Sequence, residues 1–183
     1  MNKTEFRNLL KKLHACNEAR QWADGLDLKT AWSTCERPDW LLWLTGTMAD
    51  KERWPTREQV ILSACDCAEA ALKYVPKNEN RPRKAIEAAR FWANNPTDEN
   101  KLEAARAAEA SARAAWEAAR EEAGAAAWAA AWAAEGAAAR AAWAAAGAAA
   151  RAAAGAAEAA GDSDFKKQLC ELIRSRLIFD AIK

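Results

Sequence analysis

Apolar residues in the first 96 positions recur at three- and four-residue intervals, the spacing of one helical face. Phe6, Leu9, Leu10 and Leu13 form the first stripe, and Thr4 stands where an N-cap would open a helix running to about Ala15. Asn17 to Ala23 and Asp27 to Thr34 read as short helices around Gly25. Pro38 suits a first helical turn, and Trp40, Leu41, Trp43, Leu44 and Met48 make the apolar face behind it. After the break at Trp54 and Pro55, Thr56 caps a helix to about Tyr74, with Val60, Ala64, Cys67, Ala71 and Leu72 inward. Residues 75–82 are polar and bounded by prolines, hence a loop. A helix follows from about Arg83 to Ala93, gathering Ile86, Ala89, Arg90 and Trp92, and the run Asn94, Asn95, Pro96, Thr97 ends it and caps another. No segment alternates as a strand would.

Between Asp98 and Ala160 there is no proline. A single helix of that length would reach roughly 95 Å at about 1.5 Å per residue, too long for a small globular chain. Gly124 is the best turn and Gly136 the second. The expectation is a helix from about Asp98 to Ala123, a second from about Ala125 to Ala160 packed antiparallel to it, and a last helix from Asp164 to Ile182. Phe165, Leu169, Leu172, Ile173, Leu177 and Ile178 are the face of that last helix. The predicted fold is therefore all-α, one domain over residues 1–183, a helical bundle with a short-helix half (1–96) and an alanine-rich half (97–183).

Composition sharpens the second half. From Gly124 to Gly161 the chain is nearly all alanine, broken by Trp, Arg, Glu and Gly, and an 11-residue unit repeats from Gly136 and again from Gly147. Eleven residues make about three helical turns, so Arg140 and Arg151 return to nearly one face. Alanine favours helix but offers little to bury. The specific chemistry of the tract thus rests on Trp128, Trp132, Trp143, Arg140 and Arg151. At about 100° per residue the three indoles span an arc of about 60°, and the two guanidinium groups, about 20° apart, flank it. Neither Arg has an acidic residue three or four positions away. Indole stacks on a flat ring and guanidinium forks onto an anion, so the set suits a nucleotide-like ligand. Arg113, Arg120 and Trp116, on the preceding helix, would join the same cavity if the helices run antiparallel. The same stripe would also serve as an ordinary core, and Arg106, Arg113 and Arg120, interleaved with Glu103, Glu109 and Glu117, would equally make a solvated charged face.

A formal net charge of +1 disfavours a broad surface for duplex DNA or RNA, or for an acidic membrane. Arg140 and Arg151 interrupt the alanine tract, which argues against a membrane span. The polar N-terminus lacks the apolar segment of a secretory signal. These features predict a soluble, cytoplasmic chain. Five cysteines, Cys16, Cys35, Cys65, Cys67 and Cys170, read as reduced thiols. Cys65 and Cys67, two apart on a helix, point about 200° from each other and would not share a zinc ion, so no metal or other cofactor is expected.

Enzymatic patterns are sparse. There is one histidine, and no phosphate loop or nucleophile elbow. The segments around His14 and Cys16, Trp32 with Cys35, Glu36 and Arg37, Asp39 to Trp43, Trp54 to Thr56, Ala64 to Glu69, and Arg81 with Pro82 followed by Ala89 to Trp92 resemble, in order and spacing, a group of alanine-rich helical proteins of bacteria and phages labelled as immunity proteins. That resemblance covers residues 14–160 and implies an all-helical, non-enzymatic protein without assigned catalytic residues. Occurrence in phages, by analogy with small phage proteins that sequester nucleotide messengers of host defence and together with the Trp/Arg pattern rather than any shared motif, points to an anti-defence sponge. The alternative is a protein-binding inhibitor that neutralises a toxin or defence effector by contact. A homo-oligomer is compatible with either.

Overall fold

The computed structural model describes residues 1–75, 77–107, 110 and 164–182. Every regular element among them is helical. They are α1 (Lys3–Lys12), α2 (Asn17–Trp22), α3 (Leu28–Thr34), α4 (Pro38–Met48), α5 (Arg57–Ala70), α6 (Arg81–Asn94), α7 (98–107) and α8 (Phe165–Arg176). Short 3₁₀ turns cover Ala71–Tyr74 and Asp180–Ile182. Among the described residues no helix is long and apolar enough to cross a membrane. The expected turn at Gly124, the antiparallel return of the alanine tract and the rest of the helix begun at Asp98 lie outside the described residues.

Helix boundaries follow local capping. α1 starts at Asn2 rather than Thr4: the Glu5 N–H donates to Asn2 Oδ1 at 3.0 Å, and the Asn2 N–H donates to Glu5 Oε2 at 2.9 Å. Thr4 is followed three residues on by Arg7, which has no acceptor to return such a bond. Thr56 does cap α5, in a reciprocal pair with Gln59 at 3.3 and 2.8 Å. Thr97 opens α7 by accepting the Asn100 N–H at 3.2 Å. α6 begins two residues earlier than the pattern suggests, with Pro82 inside its first turn. Glu79 makes this start favourable. Its carboxylate accepts the Arg81 N–H at 2.8 Å and pairs with the Arg81 guanidinium at 2.6 Å, contacts that hold the Glu79 carboxyl below its ordinary range. The α1–α2 turn passes through His14 in the left-handed region, at φ 55°.

The core forms around α4 and α5. α4 is buried almost all round: Leu41, Leu42, Leu44, Thr45 and Met48 are each buried. Leu41 and Leu42 face one apolar cluster and Leu44 and Met48 another. The second cluster is completed by Phe6 and Leu10 of α1 and Leu28 of α3. In α5, Cys65 and Cys67 point to opposite sides yet both are fully buried, because α5 packs against α4, α6 and α8 together.

The C-terminal helix lies inside this core. Phe165, Leu169, Cys170, Ile173, Leu177 and Phe179 are buried beside α5 residues Val60, Ile61 and Ala64. The helix stops at Arg176, short of the expected Ile182. Stopping there lets Leu177 and Phe179 turn inward on a non-helical backbone while Ile178, expected on the buried face, points out at 72% exposure. A helix would set these three positions about 100° apart and bury only part of the set. Phe179 stacks on Trp54 (5.1 Å, 27°) and meets Trp32 edge-on (5.1 Å, 85°). The Ala181 N–H then donates to the Arg53 carbonyl at 2.9 Å.

Adjacent residues thus have opposite roles. Phe179→Ala should destabilise by about 3–5 kcal/mol, whereas Ile178→Ala should change stability by about 0.5 kcal/mol or less, both read from urea unfolding midpoints.

Candidate functional site

The residues predicted for ligand binding, Arg140, Arg151, Trp128, Trp132, Trp143, Arg113, Arg120 and Trp116, all lie outside the described residues. The described residues show how the flanks of that segment are held.

On the C-terminal side, α8 is tied to the core by cations. Arg174 Nε donates to the Trp32 carbonyl at 2.8 Å, and its terminal nitrogen donates to the Cys35 carbonyl. Both acceptors belong to the end of α3, where helix carbonyls are left without intrahelical partners. Arg176 reaches Asp66 of α5 at 2.5–2.6 Å. Asp66 also accepts Arg90 of α6 at 2.8 Å, and Arg90 pairs in turn with Glu69 at 2.5 Å. Asp66 has 11% of its side chain exposed, so one largely shielded carboxylate joins α5, α6 and α8. Burial works against the Arg90 charge, but the Asp66 carboxylate outweighs it and the guanidinium is held more firmly protonated than usual. On the N-terminal side, Asn100 Nδ2 donates to the Asn95 carbonyl at 2.8 Å, and Ala104 is buried.

A second cluster pairs arginine with tryptophan. Arg37 grips Asp39 through two bonds, 3.0 and 2.9 Å, and reaches Glu18 at 3.2 Å. Its guanidinium sits 4.6 Å from the Trp40 ring centroid, and Trp40 lies 5.7 Å from Trp22. The bonds to Asp39 raise the Arg37 pKa. With two carboxylates already on it, this cation is closed to an outside anion. Behind the pair, Phe6, Leu10, Trp22, Trp32, Trp40 and Trp43 line an apolar cavity of about 40 Å³, room for little more than a methyl-sized group.

The cysteines fall in two environments. Cys16 is exposed and caps α2, its Sγ accepting the Ala19 N–H at 3.4 Å. Cys35, Cys65, Cys67 and Cys170 are buried free thiols. Burial pushes Cys65 and Cys170 up to about 12, and raises Cys35 and Cys67 as well. Among the described residues no group of His, Cys, Asp and Glu is gathered to hold a metal.

The chain matches no family model, no curated protein and no solved structure.

Helical spacing placed Arg90 on a face but gave no sign of its pairing with Asp66 and Arg176. Helical spacing places residues on faces but does not say which faces meet, and Arg176 lies 110 positions from Asp66. The one available signal was composition: Asp66 is an acidic residue between two cysteines on an otherwise apolar stretch of α5.

Asp66→Asn should cost about 1–3 kcal/mol because two guanidinium groups lose their charged acceptor, while Glu69→Gln, at an exposed pair, should cost about 1 kcal/mol or less, both from chemical denaturation. In native protein only Cys16 should react rapidly with an aromatic disulfide reagent. The other four thiols should wait for unfolding, since neither exposure nor thiolate is available to them near neutral pH.

Proposed function

We propose that this chain is a non-enzymatic binding protein that sequesters a nucleotide-like anionic signalling molecule in the alanine-rich segment, as an anti-defence sponge in a bacterial or phage-infected cytoplasm. The observation that carries the reading is the recurrence of Arg140 and Arg151 eleven residues apart, beside Trp128, Trp132 and Trp143, with no acidic residue within helical reach. Buried, such cations require an anion or a distant carboxylate.

The arginines elsewhere supply the contrast. Arg37, Arg81, Arg90 and Arg176 each meet a carboxylate at hydrogen-bond distance. In the proposed site, long alanine helices pack antiparallel within a single-domain bundle. Trp116, Arg113 and Arg120 add to the wall, the indoles stack on the ligand's ring, and the guanidinium groups fork onto its phosphates. The anchored flanks favour this arrangement, since binding then costs less ordering of the chain ends. The resemblance to the alanine-rich immunity-labelled proteins accords with a helical protein without catalytic residues; the nucleotide reading rests on the Trp/Arg pattern.

Cyclic mono- and dinucleotides titrated into the full chain should quench tryptophan fluorescence and raise the melting temperature by mass action. Arg140→Ala combined with Arg151→Ala should abolish both effects with little change in the unliganded melting temperature. Absence of any response in the unmodified protein across these nucleotides overturns the reading and favours a protein-binding inhibitor.

A further inference from the structure

A second cavity, of about 330 Å³, opens between α1 and α2, far from the alanine tract in sequence. Buried Leu10 and Ala23 close it on the core side, and Arg7, Lys11, Asn17, Arg20, Gln21 and Asp24 form its polar wall. Its size lies at the lower end of small-ligand pockets. The walls are set by local structure. Arg7 and Lys11 are four apart on α1 and share a face. The left-handed His14 turns the chain back, with the His14 N–H on the Lys11 carbonyl at 3.0 Å and the Ala15 N–H on the Leu10 carbonyl at 2.9 Å. Cys16 then opens α2 and brings Arg20 to the opposite wall.

The charges on these walls do not balance. Three cations face one carboxylate, Asp24. The Arg7–Asp24 contact is 3.8 Å, too long for a hydrogen bond. Arg20 donates to the neutral Asn17 Oδ1. Lys11 meets no carboxylate among the described residues. Like charges gathered around one cavity repel, and an anion seated among them removes the repulsion and engages their donors. The surplus of two positive charges matches a dianion, and the Asn17 and Gln21 amides add neutral hydrogen-bonding groups beside it. We infer that the α1–α2 groove is a binding site for a dianionic phosphate group, either free phosphate or the phosphomonoester of a small molecule. It goes beyond the proposed nucleotide site at Arg140 and Arg151 and does not depend on it.

The test is a titration of the full-length protein, at low ionic strength, with inorganic phosphate and separately with adenosine monophosphate, followed by calorimetry and by backbone amide shifts. Saturable shifts centred on Lys11, Arg20 and Gln21 are expected. Arg20→Gln or Lys11→Gln should weaken binding about tenfold or more, the loss of one charged hydrogen bond. Asp24→Asn should tighten it by removing the competing carboxylate. These side chains are exposed, so an unchanged thermal melt shows that each variant is folded. Tighter binding of the monophosphate assigns the site to a phosphorylated small molecule, and equal binding assigns it to phosphate itself. The Arg140→Ala, Arg151→Ala variant should bind both as the unmodified protein does, which separates this site from the other. Shifts that do not saturate, or affinity unchanged by both Arg20→Gln and Lys11→Gln, overturn the inference.

Discussion

The carboxylate of Asp66 is the point on which the described core depends. It receives Arg90 from α6 and Arg176 from α8 and sits on α5, the helix that both of them cover. A carboxylate with 11% exposure loses much of its hydration and would be costly alone. Two guanidinium groups offset that cost and also specify geometry, since each arrives from a different helix. The apolar contacts of Phe165, Leu169 and Ile173 supply most of the attraction between α8 and the core. They are non-directional, however, and would tolerate a helix rotated or slid by a turn. The Asp66 clamp, with Arg174 on the carbonyls of Trp32 and Cys35, selects one register.

That register has a consequence for the rest of the chain. α7 and α8 bound the alanine-rich segment, and α8 is embedded among helices from the first 94 residues. The N-terminal half and the C-terminal helix therefore share one hydrophobic core, although the composition of the chain divides them. A segment closed at both ends by a folded core has less conformational freedom to lose on binding than a free tail.

Tryptophan and arginine occur together at two places in the sequence, with different neighbours. At Arg37 and Trp40 the guanidinium is satisfied by Asp39 and Glu18, and the indole packs on Trp22, so the pairing stabilises the junction of α2 and α4. At Arg140 and Arg151 no acidic residue stands within helical reach. The distinction is in the neighbours, not in the residue types. The α1–α2 groove applies the same criterion to Arg7, Lys11 and Arg20, whose positive charges exceed the single carboxylate beside them.

The helical character of the described residues was legible from their apolar spacing, and most of their helix starts were legible from caps: Asp27, Pro38, Thr56 and Thr97 stand where local chemistry requires them. Those features depend on residues within four positions of one another, which a sequence displays directly. The start at Asn2 could have been read in the same way, from the reciprocal spacing of Asn2 and Glu5. What only the tertiary structure decided were contacts across long separations. α8 enters the core of the first 94 residues, Asp66 joins Arg90 to Arg176, and the helix breaks after Arg176 so that Phe179 can stack on Trp54. The candidate ligand residues of the alanine tract remain a reading of periodicity, whereas the α1–α2 groove emerged only from the structure. Arg7 and Lys11 look like ordinary surface charges until the turn at His14 sets Arg20 opposite them. Periodicity tells which residues share a face. Which faces meet is settled by burial and by the pairing of charges between helices, and neither is a property of any short stretch of chain.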